Sequence, residues 1–240
     1  MTILVLGATG ATGELLVAQL LGRGEEVRAV VRSPDRLQLE LRQCVNLSYT
    51  TASLLDLSDE RLQELTAGCD AVASCLGHNL TLRGVFGQPR RLVTDAVRRV
   101  CRAIEANQPE RPVKFVLMSS AGVRNRDLDE PLTTGERAVL ALLRTLVPPH
   151  ADNEQAADYL RTQVGQSSKF IEWCAVRPDS LTHADEVSPC TLHESPTRSA
   201  LFNPGRTSRI NVGHAMTRLI VDDELWTNWR GRMPVVYNAE

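Results

Sequence analysis

Residues 1–13, MTILVLGATGATG, decide the fold. The apolar run at residues 3–6 reads as a buried strand, and the apolar-rich stretch at residues 14–21 reads as a helix. Between them stand Gly7, Gly10 and Gly13. In a strand–turn–helix unit, glycines at this spacing have separate jobs. The first permits a sharp turn, the second removes a Cβ where a pyrophosphate approaches, and the third lets the helix lie close on the strand. Free N–H groups at the helix start, with the helix dipole, then attract phosphate. The stretch reads as a dinucleotide-binding turn, against the plainer alternative of a tight connection with no ligand.

A second strand falls at residues 27–31, and the residues just past its end bear on the cofactor. In NAD-binding domains an acidic residue about 20 positions past the glycines binds the ribose 2′-hydroxyl. Here that position is Arg32, followed by Ser33 and then Arg36. A planar guanidinium fork suits a 2′-phosphate, which favours NADP(H) over NAD(H). The alternative is that both arginines are solvated loop charges.

Further along, a third strand is expected at residues 47–52. A helix comes after it, with Asp56 where such domains often contact the adenine and Asp59 in the N-cap region. The fourth strand, in CDAVASCLGH, ends at Leu76-Gly77-His78, where small residues let backbone run beneath a cofactor. Residues 79–90 leave the carboxyl end of that strand, the side on which open α/β sheets bind ligands, and are a candidate lid. An amphipathic helix at 92–106 precedes a fifth strand at 113–118. Ser119 and Ser120 stand at that strand's end, either to bond a substrate oxygen or simply to cap the strand.

Helices are expected at 133–146 and 152–164, with Val147-Pro148-Pro149 closing the first. The sixth strand is FIEWCAVRP. Residues 179–208, rich in Pro, Ser, Thr and His, read mostly as loop. A short strand at 208–210, a final helix at 212–221 and a final strand in MPVVY complete the chain. The βα alternation favours one α/β domain over residues 1–240: a doubly wound parallel sheet with a small C-terminal substrate-binding extension.

Composition narrows the partners. A net charge of -2 gives no electrostatic case for nucleic acid or an anionic membrane. No apolar stretch reaches the ~20 residues of a membrane span, and the first apolar run passes straight into glycines, unlike a secretory signal. The six cysteines are scattered without a CxxC pair, which suits reduced, mostly buried thiols and no metal centre. His78, His183, His193 and His214 show no ligand spacing and read as loop or helix-surface residues. The expectation is a cytoplasmic monomer or homodimer acting on a small molecule.

GATGATG, VVRSPDR, SSAG and VRP together resemble the atypical short-chain dehydrogenase/reductases, and more narrowly the NmrA-like NAD(P)-binding proteins and the biliverdin-IXβ (flavin) reductases. The resemblance implies a Rossmann fold. It puts Gly7, Thr9, Gly10, Ala11, Thr12 and Gly13 around the pyrophosphate and Arg32, Ser33 and Arg36 at the adenosine phosphate. Leu76 and Gly77 would line the cofactor, and Ser120, or Ser119 beside it, would sit at the nicotinamide end. Most short-chain enzymes also carry a tyrosine four residues before a lysine. Here Tyr159 is followed at that distance by Gln163, and counting back from VRP puts the pair at Pro149 and Asn153. His150 is the nearest ionisable substitute.

Loss of that pair disfavours alcohol chemistry, which needs a strong acid or base at the reacting oxygen. It disfavours hydride transfer to a conjugated acceptor less. The first expectation is therefore an NADPH-dependent reductase of a flavin or bilin-like acceptor, with Ser120 and His150 as its catalytic residues. The second is a non-catalytic NADP(H) sensor or scaffold of the NmrA-like type. A third is an alcohol dehydrogenase or sugar epimerase using His150 or Tyr159.

Overall fold

The apolar runs seen in the sequence become strands buried on both faces. In a computed structural model, which describes residues 1–78, 87–131 and 133–239, β1 (Thr2–Leu6) sends Ile3 and Val5 to one face and Leu4 and Leu6 to the other. The same alternation places Phe115 and Leu117 opposite Val116 in β5 (Val113–Met118), as a strand of period two requires. The remaining strands are β2 (Glu26–Val31), β3 (Leu47–Thr51), β4 (Ala71–Ser74), β6 (Ile171–Pro178), β7 (Ser180–Thr182), β8 (Cys190–His193), β9 (Arg206–Ser208) and β10 (Val235–Asn238).

Eight of them form one sheet in the order β3-β2-β1-β4-β5-β6-β10-β8. All neighbours run parallel except β8, an antiparallel edge on β10. One face is covered by α1 (Gly13–Leu21), α7 (Arg209–Val221) and α8 (Asp223–Trp229), and the other by α3 (Asp59–Thr66), α4 (Leu92–Asn107) and α6 (Pro148–Tyr159). The short α2 (Leu39–Arg42) lies on the first face, and α5 (Thr134–Leu146) packs mainly on α6. This is the doubly wound Rossmann-like arrangement. Strand order reverses between β1 and β4, so their carboxyl ends part to leave a crevice.

Residues 179–208 are mostly loop, as expected, but they carry three short strands: β8 completes the main sheet and β7 pairs in parallel with β9. Three expectations are corrected. No strand spans 208–210: the short strand lies two residues earlier and β9 ends at Ser208, whose Oγ accepts the Asn211 N–H, so the chain turns at once into α7. Neither is α7 the final helix, since Asp222 caps α8 directly after it. Finally, α6 begins at Pro148 rather than residue 152. Prolines in a first turn lack only N–H groups that no helix needs there. His150 therefore lies inside α6, which continues past Tyr159 through a π-helical turn, Leu160–Val164. Of the candidate lid, residues 79–86 lie outside the described residues.

Candidate dinucleotide and acceptor site

The glycine turn is shaped by contacts that tolerate no side chain. Gly7 leaves β1 with φ at +77°, and a Cβ there would lie 2.7 Å from the Cys75 carbonyl oxygen. On Gly13 a Cβ would lie 2.1 Å from the Gly7 oxygen. Both obstacles are backbone, so neither can move aside. Gly10 N–H donates to Gly7 O at 2.9 Å, and Glu14 N–H donates to Gly10 O at 2.9 Å, closing the turn on itself. Thr12, buried at the head of α1, makes no side-chain cap, so its hydroxyl leaves the helix's amino end open toward phosphate oxygens. Thr9 is half-buried and Ala11 exposed on the outer side of the turn. A Cβ on Gly10 would meet nothing closer than Gly7 O at 3.2 Å. The turn fits a pyrophosphate.

Arg32 and Ser33 come directly after β2, and Arg36 ends a single 3₁₀ turn, Pro34–Arg36. All three are exposed, and among the described residues neither guanidinium has an acidic partner. Asp56, itself exposed, ends another 3₁₀ turn, Leu54–Asp56, after β3. Leu76 and Gly77 leave β4 beside the glycine turn, and a Cβ on Gly77 would meet open space.

The end of β5 gathers the other candidates. Ser119 N–H extends the ladder to Val176 O at 2.7 Å, while its buried Oγ has no partner among the described residues. Ser120 Oγ accepts from Gly122 N–H at 3.2 Å. A Cβ on Gly122 would lie 3.6 Å from Ser120 Oγ and 3.6 Å from His150 Cε1, so hydroxyl and imidazole flank one spot. Burial holds the His150 imidazole below its usual pKa, Arg144 adds to that, and Glu154 opposes it. Around this spot lie two pockets that share Gly122, Arg124 and Leu140. One, of about 270 Å³, is closed by residues 196–201; the other, of about 420 Å³, reaches His150 and Glu154.

The family described as NAD(P)H-binding matches residues 7–223. The chain belongs to that family. Its fold is shared with a short-chain dehydrogenase/reductase (wide type) from Veillonella parvula, solved in complex with NADP, at 16% identity and a TM-score of 0.69 over 99% of this chain and 94% of that one. It is also shared with ChuY, an anaerobillin reductase from Escherichia coli O157:H7, at 17% identity and a TM-score of 0.70 over 100% of this chain and 97% of that one. Among curated proteins, the chloroplastic divinyl chlorophyllide a 8-vinyl-reductase of Arabidopsis thaliana is 30% identical over 82 residues, 31% of this chain. The match spans 20% of that relative's length. The atypical short-chain character expected from GATGATG, SSAG and VRP agrees with this membership.

The missing tyrosine–lysine pair has a complete structural explanation. The chain's two lysines, Lys114 and Lys169, stand toward the amino ends of β5 and β6, across the sheet from the crevice. Lys114 is held by Asp223 at 2.7 Å. Tyr159 stacks under Arg98 of α4 at 5.4 Å. It lies nine residues past His150, about 13.5 Å along a helix, so it does not reach Ser120.

Two further constellations had no signal in the sequence. His78 is not a surface residue: its side chain is 5% exposed and Nε2 donates to Asp152 Oδ2 at 2.8 Å. The same carboxylate accepts the Val93 and Thr94 N–H groups at 2.8 and 2.9 Å, capping α4. The arginine of VRP, Arg177, is fully buried and paired with Glu130 at 2.7 Å. VRP was legible as a motif, but nothing nearby in sequence marks Glu130 as its partner.

Proposed function

We propose that the protein is an NADPH-dependent reductase of a small conjugated acceptor, flavin or bilin-like. The observation that carries this is that Ser120, past the end of β5, and His150, on α6, flank the same spot beside Gly122, where no tyrosine–lysine pair exists. The cofactor, when bound, supplies the hydride. The glycine turn holds its pyrophosphate, Arg32 and Arg36 hold its third phosphate, and Leu76 and Gly77 support it along β4.

Ser120 donates a hydrogen bond to a heteroatom of the acceptor, fixing its orientation. His150, kept neutral by burial, passes the proton that balances the reduction: one ring nitrogen takes a proton from solvent as the other gives its own to the acceptor. Leu140 and residues 196–201 exclude water from the same space. A conjugated acceptor spreads the incoming charge, so a weak proton donor suffices where an alcohol or ketone would need a strong one.

The reading extends to the setting. The six cysteines are free thiols, and burial pushes Cys69 up to about 11 and Cys75 to about 12, which suits a reducing compartment. Among the described residues no helix is long and apolar enough to cross a membrane. A cytoplasmic monomer or homodimer with a small-molecule partner is consistent with both.

Steady-state NADPH oxidation with a panel of flavins, quinones and bilins tests the proposal. Turnover with at least one, reduced about 100-fold or more by joint replacement of Ser120 with Ala and His150 with Phe, is the expected result. Tight NADPH binding without turnover on any of them overturns it and leaves a dinucleotide-binding sensor or scaffold.

A further inference from the structure

The larger pocket beside His150 carries an unusual charge. Four arginines line it, Arg124, Arg126, Arg137 and Arg144, against one carboxylate, Glu154. Glu154 is already committed. Arg144 Nε donates to it at 2.6 Å and Arg126 Nη2 at 2.9 Å. Burial raises its carboxyl, but those two guanidinium groups override the effect and hold it below its ordinary value. Arg126 is further bound to Asp158 at 2.9 Å.

Arg124 and Arg137 are the remainder. Arg137 stands in the first turn of α5 with no acidic partner among the described residues. Arg124 Nη2 donates to the Glu130 main-chain oxygen at 3.1 Å and lies 3.8 Å from a fully exposed Asp129. Its Nε is out of solvent with no acceptor among the described residues. The carboxylate of Glu130 cannot serve it, being taken by Arg177. Both pockets include Arg124 and the apolar Leu140, so positive charge stands directly beside an apolar wall. A partly enclosed pocket of one sign focuses its field on a ligand of the other.

Resting on the reductase reading above, we propose that the acceptor carries an acidic group, a carboxylate or a phosphate, bound by Arg124 and Arg137 while its apolar body lies against Leu140. Arg124 and Arg137 are specificity determinants, and the reacting end remains at Ser120 and His150. A guanidinium fork matches either acid by two parallel hydrogen bonds, which a neutral analogue cannot return.

Two ligand pairs separate the sources. FMN and riboflavin differ by one phosphate; a linear tetrapyrrole dicarboxylate and its dimethyl ester differ only in acid groups. Each is titrated into the NADP+-loaded protein by calorimetry and then assayed as an acceptor for kcat/KM. In at least one pair the acid member binds about 10-fold or more tighter, and the preference weakens as salt rises. Arg137→Gln and Arg124→Gln each move the acid-to-neutral ratio toward one, and Arg137→Lys keeps part of it. Unchanged NADP+ affinity and unfolding midpoint in these variants show that the fold is intact.

Equal binding within both pairs, or a ratio untouched in both glutamine variants, overturns the inference. Turnover without acid preference refutes the inference and leaves the reductase reading standing. Acid-selective binding without turnover supports the inference and refutes the reductase.

Discussion

Asp152, on α6, and His78, at the end of β4, are joined at 2.8 Å although 74 residues separate them. The side chain of Asp152 is wholly buried, and its two oxygens serve three donors: His78, Val93 N–H and Thr94 N–H. One carboxylate thus ties the segment after β4 that carries Leu76 and Gly77 to the start of α4 and to the helix that carries His150. Asp152→Ala strands two amides and an imidazole out of water. A loss of about 2–4 kcal/mol is expected by urea denaturation, from unmade buried bonds at roughly 1–3 kcal/mol each with partial relaxation. Asp152→Asn keeps one acceptor and loses less. Equal stability of wild type and the alanine variant would show that the clasp carries no weight.

The glycine turn separates two kinds of cost. At Gly13 an added Cβ strikes backbone at 2.1 Å, whereas at Gly24 it meets nothing within 4 Å and only the positive φ of +81° is strained. Gly24→Ala should cost about 1–2 kcal/mol. Gly13→Ala should cost more, and should also abolish dinucleotide binding by pushing α1 off β1. Urea midpoints and calorimetry on the same two variants check it. Similar losses in both would refute the close approach of helix and strand.

These glycines were legible because their signal is local: spacing, a preceding strand and a following helix all lie within 21 residues. β8 was not, because Cys190–His193 becomes a strand only by pairing with β10, more than 40 residues later. Pro148 and Pro149 misled for a related reason. Proline ends one helix and is equally suited to start the next, and sequence alone does not say which role it takes. Arg124 and Arg137, 13 residues apart, had no shared signal in the sequence; only the fold sets them in one pocket.

His150 makes stability depend on pH. Burial favours its neutral form, so the folded protein has a lower imidazole pKa than the unfolded chain, whose reference value is 6.5. Between the two values the unfolded state binds more protons, and stability falls as pH drops through that window. Below the folded value the loss is complete and the curve flattens. His214, also lowered by burial, contributes with the same sign. Urea midpoints measured from about pH 7 down to about pH 5 should decline, and His150→Asn should shallow the decline. A slope unchanged by that replacement would place the imidazole in solvent.

Arg177 donates to Glu130 through both terminal nitrogens, and to the main-chain oxygens of Met233, Val123 and Glu194. Arg177→Leu leaves the Glu130 carboxylate buried without its cation, at a cost of about 3–5 kcal/mol. Adding Glu130→Gln removes the uncompensated charge, so the double variant should be more stable than the single one. Because Glu130 also lines the smaller pocket, the single variant should raise KM for the acceptor more than it weakens dinucleotide binding. Denaturation of both variants and parallel kinetics test the two halves separately.

The proposed preference for NADPH rests on Arg32 and Arg36, which stand past the end of β2, exposed and without acidic partners among the described residues. An exposed arginine with no partner gives the fold little, so replacing it should leave the unfolding midpoint in place. Its effect should fall on the ligand. A charge-assisted bond is worth about 1.5–3 kcal/mol, so Arg32→Ala should weaken NADP+ binding by about 10- to 100-fold. NAD+, which has no 2′-phosphate, should change little. Arg32→Asp should go further, repelling NADP+ and offering the NAD+ ribose an acceptor for its 2′-hydroxyl. Rising salt should erode the wild-type preference as phosphate–guanidinium attraction is screened. Calorimetry with both nucleotides on the three proteins decides the matter. If Arg32→Ala weakens the two equally, the guanidinium acts on the turn itself rather than on a third phosphate, and the proposed preference for NADPH loses its support at this position.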